Sequence, residues 1–259
     1  MIASNVKGRG STLMNKFIKL ASIAAVSGLT MVGAANAEDR EFSWSITVGG
    51  TSDYIFRGLS LHNEDPAAQG SVDMSYGIFY AGAWASNVGS GVQDGFHPME
   101  VDVYAGLKPV LGQFTFDFGV IGYLYPIADD PLNYVEFKAG VSTEIFKNLT
   151  GSAAVYYVPD QSVNSPEIWT YEGTLAYTLP QMHIFTPTLS GTVGYSDAAS
   201  VFFLGEDQYT YWNAGLAVAV EKFTFDFRYW DTNIDQGLGD VYDGLSDSRF
   251  VFSVKATLP

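Results

Sequence analysis

Residues Phe223-Thr224-Phe225-Asp226-Phe227-Arg228-Tyr229-Trp230 decide the fold. Large apolar side chains occupy Phe223, Phe225, Phe227 and Tyr229, while Thr224, Asp226, Arg228 and Trp230 fall between them. This period of two belongs to a β-strand with one apolar and one polar face. The pattern recurs on either side. Phe250, Phe252, Val254, Ala256 and Leu258 alternate with Arg249, Val251, Ser253, Lys255 and Thr257. Val135, Phe137, Ala139 and Val141 alternate with Glu136, Lys138, Gly140 and Ser142. Phe114, Phe116, Phe118 and Val120 alternate with Thr115, Asp117 and Gly119, and Met99 to Leu107 alternates with Glu100, Asp102, Tyr104, Gly106 and Lys108. Phe42, Trp44, Ile46 and Val48 open the series.

The connections alternate too, in length. Short ones fall near Gly77, Pro109–Gln113, Phe146–Asn148, Pro180–His183 and Glu221–Lys222. Longer polar ones fall near Gly58–Pro66, Asn87–Pro98, Pro126–Leu132, Pro159–Ser165, Ser196–Asp207 and Asp231–Asp247. Five short and six long connections join twelve strands, with both termini at the short-turn end. That is the layout of a closed antiparallel transmembrane β-barrel with short periplasmic turns and longer outer loops.

A soluble β-protein would also alternate, so the direction of the apolar face matters. The polar face mixes small residues with charge, and the other ends in large aromatics. Tyr54 and Phe56, Tyr76 and Tyr80, Trp169 and Tyr177, Tyr209 and Trp212, and Phe250 and Phe252 are expected on the outward face as girdles at the two interfaces. Closure satisfies every backbone group in lipid and leaves no edge.

The N-terminus reads as an address. Lys7, Arg9, Lys16 and Lys19 precede the apolar stretch Leu20–Val32, and Ala35-Asn36-Ala37 stands as a small-x-small cleavage site before Glu38. Residues 1–37 are therefore expected to be a cleaved signal peptide and residues 38–259 the barrel domain. The apolar run is too short for a signal anchor. The absence of cysteine excludes disulfides and thiolate metal sites. Four of the 13 Lys and Arg precede Glu38 and all 28 Asp and Glu follow it, so residues 38–259 carry 9 basic against 28 acidic groups, a formal charge of −19. Such a surface argues against nucleic-acid binding, and aromatic content of 15% argues against disorder.

Several blocks make the chain resemble the TorF-type porin family of proteobacterial outer-membrane proteins. They include Thr51-Ser52-Asp53-Tyr54-Ile55-Phe56-Arg57-Gly58, Asp65-Pro66-Ala67-Ala68-Gln69-Gly70, Phe79-Tyr80-Ala81-Gly82-Ala83-Trp84 and Tyr123-Leu124-Tyr125-Pro126. Asn133-Tyr134-Val135-Glu136, Thr170-Tyr171-Glu172-Gly173, Val193-Gly194-Tyr195 and Tyr229-Trp230-Asp231-Thr232 continue the match in family order. The resemblance implies an outer-membrane channel with no catalytic residues. Its implied partners are outer-membrane lipid and lipopolysaccharide, the barrel-assembly machinery and small hydrophilic solutes. The chain departs from the common aromatic ending of such barrels at Leu258-Pro259.

Twelve strands fall between barrels filled by side chains and wide aqueous channels, which predicts a narrow lumen. Its expected acidic lining is Asp53, Glu100, Asp102, Asp117, Glu136, Glu172 and Asp226, with Glu144 on the same face. Its expected basic lining is Arg57, Lys138, Arg228 and Arg249, with Lys255. Two arrangements fit. An acidic wall could oppose a basic one containing Arg57, giving a transverse field that favours cationic or zwitterionic solutes. Alternatively, the charges pair locally across neighbouring strands. Tyr104, Tyr123, Tyr125 and Trp230 also fall on the polar face, where they would form an aromatic slide or cation–π contact for an ammonium-like solute, or pack the lumen.

The remaining candidates are weak. His62, His97 and His183 lie in or beside connections, where neighbouring Glu64, Asp65 and Asp94 need only be solvated. Asp231-x-Asn233-x-Asp235 resembles the start of a calcium loop, but Gly237 comes one position late and Tyr242 stands where the bidentate Glu belongs. The expectation is a non-enzymatic barrel without metal or cofactor, and no subunit interface is marked.

Overall fold

Period-two segments need neighbours on both edges, and here each finds them. The computed structural model describes residues 41–89, 99–126, 133–161, 166–200, 203–234 and 244–259. The expected signal and its cleavage residues Ala35, Ala37 and Glu38 lie outside these residues, as do Asp94, His97, Asp235, Gly237, Asp240, Tyr242 and Asp243.

Twelve strands form the wall: β1 (Phe42–Thr51), β4 (Ala67–Tyr76), β5 (Phe79–Ser86), β6 (Glu100–Leu107), β8 (Phe114–Leu124), β9 (Tyr134–Phe146), β10 (Leu149–Val158), β11 (Ile168–Thr178), β12 (Phe185–Ala198), β13 (Gln208–Val220), β14 (Phe223–Thr232) and β15 (Arg249–Leu258). Each pairs antiparallel with its neighbours, and β1 pairs with both β4 and β15, which closes the ring. Three short strands complete the set. β2 (Ile55–Phe56) and β3 (Leu59–Ser60) form a separate hairpin, and β7 (Val110–Leu111) extends the turn before β8. The protein is a closed twelve-stranded antiparallel β-barrel, as the alternation of short and long connections predicts.

Register keeps the two faces apart around the whole circle. Thr47 faces Ser71, Ser71 faces Trp84, Trp84 faces Asp102, and Asp102 faces Tyr123. On the closing side Thr224 faces Lys255, and Thr257 faces Thr47. A one-residue slip anywhere would exchange the faces. The irregularity between Leu149 and Thr150 falls at the turn and leaves both faces intact.

The polarity is inverted relative to a soluble protein. Phe42, Trp44, Phe118, Phe137, Phe227 and Phe250 are exposed, Phe250 at 82%, whereas Asp73, Glu100 and Glu136 are about 1% exposed. An apolar belt covering one whole side of a sheet far exceeds the patches tolerated in water. In a bilayer it removes the solvation penalty, and closure leaves no unpaired backbone at its edges.

Four expected girdle residues lie elsewhere. β1 ends at Thr51, so Tyr54 and Phe56 leave the wall with the inward hairpin. Tyr80 is on the inner face, opposite Ser75 and Gly106, and Tyr209 is buried opposite Ser196. Tyrosine suits either face, because its ring is apolar and its hydroxyl polar. Tyr76, Trp169, Tyr177, Phe250 and Phe252 are on the outside, and Trp212 shares the exposed row of Val193.

This polarity predicts an asymmetric response to charge. Phe118→Arg on the outer face should cost about 2–4 kcal/mol near the bilayer midplane. Thr115→Arg on the half-buried inner face, opposite Ser142, should cost clearly less. Urea titration in lipid vesicles measures both.

Candidate functional site: the lumen and its hairpin

The chain between β1 and β4 turns into the barrel. Arg57 and Gly58 have φ of 51° and 85°, so both central residues of the β2–β3 hairpin are left-handed, as a type I′ turn requires. Ser60 Oγ donates to Asp53 Oδ1 at 2.8 Å, and Arg249 Nη1 donates to Asp53 Oδ2 at 2.8 Å. Arg249 also contacts Glu64 at 3.2 Å and donates to the Gly244 carbonyl. The Ser60 amide donates to the Leu245 carbonyl. These bonds fasten the root of the hairpin to β15 and the loop before it.

The tip reaches the far walls. Arg57 donates from both terminal nitrogens to Glu136 on β9, at 2.8 and 2.9 Å. Its guanidinium lies 4.7 Å from the Phe56 ring centre and 4.6 Å from that of Tyr156. Tyr209 donates its hydroxyl to the Arg57 carbonyl at 2.9 Å. A Cβ at Gly58 would stand 2.5 Å from Thr232 Cγ2 and 2.8 Å from Tyr211 Cβ, so only glycine fits there. The hairpin therefore spans the bore from β15 to β9, β13 and β14. Burial by itself would lower the pKa of the Arg57 guanidinium, but the charge and hydrogen bonds of Glu136 together with Tyr211 and Tyr123 outweigh it, and the net shift is upward. Burial, then the charge of Glu100, pushes the Tyr54 phenol well up and keeps it a donor.

Around the hairpin, tyrosine hydroxyls meet carboxylates. Tyr54 and Tyr125 donate to Glu100 at 2.7 and 2.6 Å, Tyr123 to Glu136 at 3.2 Å, Tyr80 to Asp117 at 2.8 Å, Tyr211 to Glu172 at 2.6 Å, and Tyr104 to Asp73. Inward glycines make room for these rings. A Cβ at Gly194 would lie 2.1 Å from Tyr211 Cζ, and one at Gly82 would lie 2.6 Å from the Tyr104 ring. A phenol donor holds a carboxylate without cancelling its charge.

Other charges pair locally. Lys138 contacts Asp117 at 2.8 Å. Arg228 contacts Asp226 at 2.9 Å and donates to Asn213 Oδ1 at 2.6 Å. Arg57 joins the Glu136 side and so does not belong to a wall opposite it, because the chain carries it across the bore on the hairpin. The ion pairs consume Asp53, Asp117, Glu136 and Asp226. Asp73, Glu100, Asp102 and Glu172 form no ion pair among the described residues.

Two cavities flank the hairpin. One of about 160 Å³ is bounded by Asp53, Asp226, Arg228 and Lys255. The other, about 50 Å³, is bounded by Arg57, Asp102, Glu172, Tyr123 and Asn213. Tyr54, Ile55, Trp84 and Trp230 border both and form the partition. Sequence reading missed Asp73, although Ser71-Val72-Asp73-Met74-Ser75 alternates clearly. It also missed Tyr54 and Trp84 as lumen residues. Trp84 shares a period with Tyr80 and Gly82, whereas the turn of Tyr54 into the bore leaves no periodic signal.

A closed twelve-stranded barrel with its apolar face outward is the architecture of outer-membrane porins. The NanC porin superposes with a TM-score of 0.54 at 13% identity, covering 84% of this chain and 100% of that one. The KdgM porin superposes with a TM-score of 0.56 at 10% identity, covering 83% and 99%. A KdgM complex with disordered oligogalacturonate superposes at 0.53 with 11% identity over 83% and 99%. No curated relative matches the sequence. Residues 34–258 match the family described as "Bacterial protein of unknown function (Gcw_chp)", and the chain belongs to that family.

The tyrosine–glycine fit predicts a specific cost. Gly194→Ala should displace the Tyr211 ring and destabilise the barrel by about 1–3 kcal/mol. Denaturant unfolding in detergent gives the energy, and loss of near-ultraviolet dichroism reports the freed ring.

Proposed function

We propose that the protein is an outer-membrane, porin-like channel for passive diffusion of small hydrophilic solutes, favouring cationic or zwitterionic ones. The carrying observation is the lumen itself, a polar inner face crossed by a hairpin held through ion pairs and hydroxyls. Such groups suit a hydrated solute along the inner face, while Tyr54, Phe56, Leu59 and Leu61 pack the hairpin itself into apolar clusters. The residual negative charge supports cation preference, because Asp73, Glu100 and Glu172 have tyrosine donors but form no ion pair among the described residues. It also argues against an oligoanion as the solute here.

On this reading the N-terminal segment exports the chain and is cleaved after Ala37. The assembly machinery inserts the barrel, the exposed Phe belt contacts lipid, and the outer loops meet lipopolysaccharide. The finer assignment to TorF-type porins rests on the sequence blocks beginning at Thr51 and Phe79. No catalytic step is part of the proposal.

The hairpin also supports a second reading, a non-conducting barrel acting through its surface loops, because Gly58 is wedged between Tyr211 and Thr232. Planar-bilayer recording separates the two. Discrete conductance steps with a cation-selective reversal potential support the channel. Silence supports the structural barrel, and anion preference defeats the selectivity claim. Arg57→Ala should unfasten the hairpin tip and raise single-channel conductance about two-fold or more, since loss of one partner of a largely buried pair is strongly unfavourable.

A further inference from the structure

Inside the smaller cavity one carboxylate lacks what the others have. Asp73, Glu100 and Glu172 each accept a tyrosine hydroxyl, and Asp117, Glu136 and Asp226 each accept a basic side chain. Asp102 takes part in none of these ion pairs. Its residue is 7% exposed, and its Oδ1 is buried with no hydrogen-bond partner among the described residues. Leaving a buried carboxylate oxygen unmet is costly, and a bound cation would relieve both that cost and the repulsion from Glu100 and Glu136.

The surroundings indicate its chemistry. Asp102 lies in one inward row between Trp84 on β5 and Tyr123 on β8. The hairpin closes this row from the lumen side. Tyr54 packs on Trp84 with ring centres 5.3 Å apart, and Phe56 meets Tyr123 edge-on at 6.0 Å. All five residues border the same cavity. A carboxylate among aromatic rings attracts a cation through charge and through the ring faces together, and an organic ammonium exploits both because its methyl groups need little water. The volume of about 50 Å³ corresponds to a few waters at roughly 10–15 Å³ each, which limits the occupant to a few heavy atoms.

We infer that the Asp102 cavity is a binding site for a small alkylammonium group, with the carboxylate receiving the N–H donors and Trp84, Tyr123, Tyr54 and Phe56 forming its apolar walls. Asn213 Nδ2, a buried donor without a partner, borders the same cavity. It would meet an acceptor on the solute, so an amino alcohol or amino acid uses both ends of the site. This deepens the channel proposal by naming the solute class, and it rests on that reading only for transport.

The test reads binding without conduction. Methylammonium chloride is titrated into the detergent-solubilised wild-type protein at constant ionic strength, replacing sodium chloride, and tryptophan fluorescence is followed. A saturable change is expected, absent with sodium and absent with tetraethylammonium, which exceeds the cavity. Asp102→Asn should weaken it about tenfold or more. Trp84→Leu, which keeps the carboxylate, should weaken it several-fold and serves as the independent variant if Asp102→Asn does not fold. No saturable response in the wild-type protein, an equal response to sodium, or unchanged affinity in the folded variants overturns the proposal. Conductance without binding sinks only this site, and binding without conductance sinks only the channel reading.

Discussion

Everything in this protein follows from the demand that backbone polar groups inside a bilayer find partners within the chain. A sheet meets that demand only when its first strand hydrogen-bonds to its last, and Thr47 opposite Thr257 marks where it does. Once the ring is closed, the two faces of every strand acquire fixed meanings. The face bearing Phe118 and Phe227 can only meet lipid, and the face bearing Glu136 and Asp226 can only meet the lumen. The apparent surplus of exposed aromatics and the burial of carboxylates are one consequence of that closure.

The lumen then inherits a problem of its own. Many carboxylates share a narrow space where Coulomb repulsion is poorly screened. The chain uses two solutions. Lys138, Arg228, Arg249 and Arg57 cancel some charges directly. Tyrosines hold others in place while leaving the charge intact, and glycines such as Gly82 and Gly194 leave space for their rings. The result is an ordered interior whose surplus is negative. Asp102, in neither group, stands beside Trp84 and Tyr123, where the inferred ammonium site lies.

The hairpin joins these themes. Its turn depends on Gly58, its root on Asp53 and its tip on Arg57, so three adjacent features of the sequence place a cation at the centre of an acidic bore. A bidentate guanidinium–carboxylate pair is directional as well as strong, so it fixes the orientation of a loop that Tyr54, Phe56, Leu59 and Leu61 also pack into apolar clusters. The same contacts make the hairpin sensitive to charge changes at Asp53, Glu136 and Arg249.

The sequence by itself determined the number of strands, their direction, the inverted polarity and the turn ends, because a period of two needs no knowledge of neighbours. It also determined that the charged wall residues Glu100, Asp102, Asp117, Glu136 and Asp226 face inward, since each alternates with apolar neighbours along its strand. Only the tertiary structure decided that Tyr54, Phe56 and Arg57 enter the bore and that Tyr80 and Tyr209 face it. It alone set which charges meet, since Arg57 and Glu136 are 79 residues apart and Arg249 and Asp53 are 196 apart. Alternation is local, and a contact across the lumen depends on how the ring closes, where no local pattern reaches.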